Sequence, residues 1–181
     1  MTGENKGAAV PGYSKYDFIE TLHAGERVTT QRVRERGDGR TVLLRTPREA
    51  GRTTDLAALE EEERILQVLT QECRAMESDS SGPASSRALA TPDVGGQLLS
   101  GLIPPGGMPV EQVVEVSTRL AEMIGRLHAG RVIHKGVAAP AVLFNPDTGQ
   151  VDLLCHCMAT RIPQEKRQLV HPDRLEGIPA Y

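Results

Sequence analysis

The chain has 181 residues, enough for one domain with a core or for two small lobes. Hydrophobic residues make up 39% and charged residues 25%, but aromatics are only 3% and Trp is missing, so the core must rest on Leu, Val, Ile and Ala. A net charge of −3 with scattered basic residues gives no electrostatic case for nucleic acid or an anionic membrane surface, and no apolar run approaches the ~20 residues that span a bilayer.

Residues 1–12 form a polar, Gly-rich lead without an apolar export segment, which makes a cytoplasmic location the default expectation. Cys73, Cys155 and Cys157 lack the spacing of a disulfide scaffold. Residues 13–34 predict two strands joined by a turn at His23-Ala24-Gly25, and Arg36-Gly37-Asp38-Gly39 predicts a second turn into a strand over 41–45 that Pro47 ends. Thr54 or Asp55 can cap a helix running to about Glu72, with Leu56, Leu59, Ile65, Leu66 and Leu69 inward and the Glu60–Glu63 run mostly in solvent.

A Ser/Gly/Pro loop over 78–86 precedes a short strand over 87–91, a turn-rich stretch over 92–96 and a breaker-rich link over 101–109. The clearest helix covers 110–129: Val113, Val116, Leu120, Ile124, Leu127 and His128 recur at helical spacing, and Gly130 falls at its C-terminal cap. Apolar runs over 142–144 and 151–154 flank a turn-rich stretch over 145–149, a hairpin signal. Strands, a helix, a strand, a long helix and a hairpin give the α+β class.

One stretch carries a resemblance. An apolar helix ends in Leu127-His128, a turn follows at Ala129-Gly130-Arg131, and Val132-Ile133 leads into His134-Lys135-Gly136. This resembles the helix and catalytic loop of protein kinases, where the turn leads to His-Arg/Lys-Asp. The Asn five positions after that Asp is matched by Ala141, followed by Val142-Leu143, and the metal-binding Asp-Phe-Gly is matched by Cys155-His156-Cys157. Upstream, residues 16–33 resemble the glycine-loop hairpin, Arg45 falls where the third strand carries its Lys, and Glu62 matches the helix Glu. Asp93-Val94-Gly95-Gly96 is similar to a hinge, and 175–181 resembles the end of an activation segment. The closest flavour is the kinase-like module that begins certain large multidomain sensor kinases and ATPases.

The resemblance implies a small antiparallel N-lobe sheet with one helix and a hinge over 13–96, then a truncated, mainly helical C-lobe over 97–181. It also implies damaged chemistry. Phosphoryl transfer must hold nucleotide phosphates, hold Mg²⁺ and orient the attacking hydroxyl. Of the loop glycines only Gly25 remains, with His23, read as a solvated turn residue, and Val28 in the other places. Arg45 keeps the charge of the Lys but not its shape; an Arg45–Glu62 ion pair competes with a partly exposed Arg beside a solvated Glu run. Gly136 offers no proton acceptor, a loss of roughly 10²–10⁴ in rate. Ala141 and Cys155 offer no oxygen to a hard cation. Asp152 is near Cys155 in sequence, but strand alternation sets it on the opposite face. His134, with Lys135 beside it, is expected to pack and hydrogen-bond within its loop.

Other chemistries carry less. Cys155-His156-Cys157 is tighter than zinc spacing, Cys73 and His171 form no second ligand pair, and a Ser-His-Asp hydrolase lacks its nucleophile elbow. The expectation is a catalytically inactive kinase-like regulatory or binding module in signalling. No catalytic residue is intact, no metal or cofactor is expected, and a protein partner or self-association is. The alternatives are a weak atypical Ser/Thr kinase that binds ATP, with Mg²⁺, through Gly25, Arg45 and Glu62, and a truncated fragment without function.

Overall fold

A computed structural model describes residues 8–70, 74–77, 87–156 and 158–162. The chain divides into two compact units, Met1–Asp93 and Val94–Tyr181.

The first unit is built on β1 (Ala9–Val10), β2 (Tyr13–Ala24), β3 (Val28–Glu35), β4 (Thr41–Pro47), β5 (Arg74–Glu77) and β6 (Arg87–Pro92), with α1 (Thr53–Leu69) between β4 and β5. The sheet order is β1-β2-β3-β4-β6-β5, every pair antiparallel, and β1 contributes only a two-residue edge. The turn over 36–39 works as its residues suggest: Glu35 N donates to Arg40 O, Gly39 takes φ +73°, and Asp38 Oδ1 accepts from Arg40 N.

Alternation sorts the sheet into two faces. Tyr16, Phe18, Val33, Val42, Leu44 and Ala90 form one core with Val10 and Tyr13. On the other face Val28 and Leu89 pack against Leu59 and Leu66 of α1. Strand β4 is covered on both faces, so Val42 to Arg45 are buried without a break. Cross-strand register sets His23, Thr30, Arg45 and Leu89 in one row across four strands, on the face that α1 covers.

The second unit contains β7 (Gln97–Leu98), a short helix α2 (Leu99–Leu102), α3 (Val110–Ala129), β8 (Val132–Ile133), a 3₁₀ turn (Ala139–Ala141), β9 (Val142–Asn145), β10 (Gln150–Leu153) and β11 (Thr160–Arg161). Strands β10, β9 and β7 form one antiparallel sheet, and β8 pairs with β11 in another. The hairpin forms over the expected segment, with Asn145 Oδ1 accepting from Asp147 N and Gly149 at φ +68°. Gly96, at φ +79°, lies so close to Phe144 O that a Cβ there would collide with it. Among the described residues no helix is long and apolar enough to cross a membrane.

Several expectations change. Helix α1 starts at Thr53 and ends at Leu69, three residues short of Glu72, and Arg52 holds its N-cap position without a side-chain cap. Asp55 accepts instead from Glu49 N, fixing the approach to the helix. Glu62 leaves the solvated run, because residues 59, 62 and 66 share the inward stripe. The 101–109 link begins inside α2. Helix α3 buries Val116, Met123 and Leu127, while Val113 and His128 are exposed. The left-handed residue after α3 is Arg131 (φ +61°), one past Gly130, which keeps φ −78°. Cys155 follows the end of β10, so alternation does not set it against Asp152. Cys73, Cys157, His171 and residues 1–7, 78–86 and 175–181 lie outside the described residues.

Candidate functional site

In the first unit Arg45 is fully buried in the middle of the sheet. Its Nη1 donates to Thr91 Oγ1 at 2.7 Å, and its Nε lies 3.4 Å from Glu62 Oε1 on α1. The Glu62 side chain is itself only 2% exposed. The structure therefore takes the ion-paired reading of Arg45 over the partly exposed one. Nη1 is met by the Thr91 hydroxyl, while Nε faces the Glu62 carboxylate as a charge contact rather than an aligned hydrogen bond, so the pair offsets the burial of both charges only in part.

His23 is not a solvated turn residue. It is the penultimate residue of β2, half-buried, with Nε2 3.2 Å from where a Cβ on Gly25 would stand. Burial pushes its pKa below the ordinary value, against the partial pull of the Glu62 carboxylate. Gly25 spends its N–H on Val28 O at 3.0 Å, and its carbonyl accepts from Arg48 Nη1 at 2.8 Å. The turn is closed by its own contacts.

The same unit fastens Asp93. Arg32 on β3 donates through Nε (2.7 Å) and Nη2 (3.3 Å) to its two carboxylate oxygens, and through Nη1 to Glu20. Burial works against the Arg32 charge, but the hydrogen bond and field of Asp93, then those of Glu20, outweigh it and raise the guanidinium above its ordinary value. Neither sequence pattern nor resemblance singled out this pair.

In the second unit His134 is buried, and its Nδ1 accepts from Gly136 N at 3.3 Å. The His134 ring meets His156 edge to face, centroids 5.2 Å apart. Lys135 between His134 and Gly136 takes φ +58°, unusual for a non-glycine. Ala141 closes the 3₁₀ turn through Ala141 N to Ala138 O, and its carbonyl accepts from Leu154 N. Cys155 is buried beside His156. The unit thus gathers His134, Lys135 and Gly136 with the segment starting at Cys155, and Arg45, Glu62, His23 and Gly25 gather in the other unit.

The α+β build, with a five-stranded antiparallel core sheet beyond the β1 edge and few helices, is compatible with a small kinase-like N-lobe. No protein-family model matches the chain. The chain is similar to serine/threonine-protein kinase TIO of Arabidopsis thaliana, 28% identical over 171 residues, a match covering 94% of this chain and 13% of that protein. This supports a kinase-like relationship at that coarse level.

The resemblance implies a nucleotide with Mg²⁺, and the residues at the positions it matches to the metal ligands are not oxygen donors. Mg²⁺ takes oxygen ligands in near-octahedral geometry. A thiol stands at Cys155 and a methyl at Ala141. The Gly25 N–H that would approach a phosphate is committed to Val28 O.

Proposed function

We propose that the chain is a catalytically inactive, kinase-like module that serves signalling as a regulatory or binding module through protein contacts. The observation that carries the reading is the residue set at the three chemical positions. Gly136, Ala141 and Cys155 offer neither a carboxylate to orient a hydroxyl nor an oxygen to hold Mg²⁺. Among the scaffold positions of the resemblance, His134 is buried in the second unit and Arg45 pairs with Glu62 in the first. The split between the two sets favours a kept scaffold without its chemistry. The 28% similarity to a serine/threonine-protein kinase supports the scaffold half of this reading.

The test is thermal unfolding of the whole chain with ATP, with and without Mg²⁺. A ligand at 100 times its Kd raises stability by about 2.7 kcal/mol, so even modest binding at millimolar nucleotide is visible. The expected result is an unchanged midpoint in both conditions. A Mg²⁺-dependent rise overturns the reading in favour of a weak, atypical ATP-binding kinase.

A further inference from the structure

We propose that Met158 is a built-in plug of the His134–Gly136 loop, and that Gly136 is glycine because Met158 fills the space a side chain there would need. The three atoms nearest to a Cβ built on Gly136 all belong to Met158: Sδ at 3.3 Å, Cβ at 3.5 Å and Cγ at 3.6 Å. Gly136 does not take the left-handed conformation, so a side chain there meets Met158 rather than backbone strain. A single methyl fits only if the thioether moves by a few tenths of an ångström. A carboxylate reaches further, against a sulfur and methylenes that cannot solvate it.

Both sides of the contact are fastened. On the loop side, Lys135 holds φ +58° and Gly136 N donates to His134 Nδ1, so position 136 is fixed in direction. On the plug side, Ala159 N donates to His156 O at 2.9 Å, and the His156 ring rests on His134. Immediately after, β11 pairs with β8, placing Thr160 opposite Ile133 and Arg161 opposite Val132. Ile162 N then donates to Arg131 O at 2.7 Å, and Arg131 Nε returns a bond to Ile162 O at 3.3 Å. The Met158 backbone therefore sits between two anchors, one at His156 and one at β11, so its half-buried thioether clears the space only by changing rotamer.

The plug is a packing statement, and only its meaning rests on reading position 136 as the place of a catalytic carboxylate. On that reading Met158 is a second determinant of inactivity, absent from any comparison of catalytic positions alone. Restoring Gly136→Asp would not restore a usable carboxylate while Met158 stays.

The experiment is a double-mutant cycle on the full chain by chemical denaturation, with Gly136→Asp, Met158→Ala and the pair. Each single change is expected to destabilise. The effect of Gly136→Asp on the folding equilibrium constant is expected to shrink at least tenfold when Met158 is already Ala. Gly136→Ala replaces Gly136→Asp in the same cycle if the carboxylate variant does not fold, with coupling of the same sign. Effects of Gly136 substitution that are equal with and without Met158 overturn the plug. Stabilisation of the unchanged chain by Mg²⁺-ATP overturns the inactive reading instead, and it does so independently of the cycle.

Discussion

Removing the charge of Glu62 while keeping its shape is the sharpest perturbation of the first unit. At 3.4 Å two unit charges attract by about 5 kcal/mol at an effective dielectric of ~20, and much of this only offsets the desolvation of both groups. The pair as a whole is therefore worth little against an apolar replacement, whereas a broken pair leaves one charge buried. Glu62→Gln and Arg45→Met should each cost about 3–5 kcal/mol. The double variant Arg45→Met with Glu62→Leu should recover most of that loss, because Leu59, Leu66 and Leu89 on the same face are apolar and only the Thr91 hydroxyl loses its Arg45 donor. Tyrosine fluorescence in urea is a suitable assay: the chain has no Trp, and Tyr13 and Tyr16 are both buried in the core of this unit. For a unit of this size the single variants should lower the melting temperature by roughly 12 °C or more. Single variants within about 1 kcal/mol of the parent, with no gain in the double, would refute the coupling, since breaking a buried pair is expected to cost several times that.

Three further outcomes are expected. His23 has its pKa lowered by burial, with Glu62 pulling the other way, so its unfolded form takes a proton first as pH falls. The stability it protects is present above about pH 6.5 and is lost as pH falls toward the depressed folded pKa; His23→Gln should flatten that part of the stability–pH curve, and an unchanged curve would refute it. Gly96→Ala should cost more than about 3 kcal/mol, because it adds left-handed strain to a collision with Phe144 O, and should lower hydrogen-exchange protection across β9; protection equal to the parent's would contradict the geometry. On α3, Val110, Val113 and Val114 are 71%, 45% and 58% exposed, and light scattering over a concentration series should show association that Val110→Lys with Val114→Lys reduces. A parent chain that stays monomeric at every concentration would end that idea.

Elements whose chemistry is local were legible in the sequence. The turns over 36–39 and 145–149 carry Gly, Asp and Asn where positive φ or side-chain acceptors are needed, and the strands on either side follow. Two-residue strands such as β7, β8 and β11 are too short to show alternation, so only their partners reveal them. In α3 the spacing identifies the helix but leaves overlapping stripes to choose from. The one through Val116, Met123 and Leu127 is buried, and packing rather than periodicity makes that choice. Glu62 was readable in hindsight, since a charge set three after Leu59 and four before Leu66 must face inward with them. Met158 beside Gly136 carries no local signal at all. Its position depends on the pairing of β8 with β11, which brings residues far apart in sequence together.

The same geometry bears on what the module could bind. A ligand must outcompete whatever already satisfies the groups it would use, and an interaction exchanged for an equal one adds nothing to affinity. The Arg45 fork already bonds Thr91 and faces Glu62, and the Gly25 N–H already bonds Val28 O. A phosphate approaching the Gly25 N–H would have to break its contact first, and one at Arg45 would have to displace Thr91; the Glu62 contact alone does not exclude it, since active kinases hold phosphates with a cation paired to a helix Glu. On the proposed reading, then, loss of nucleotide affinity does not require an empty or collapsed site. It follows from a Gly25 N–H already bonded to Val28 O and from a thiol and a methyl where oxygen ligands would be needed, and this is why exchanging Arg45 for Lys alone is not expected to restore binding.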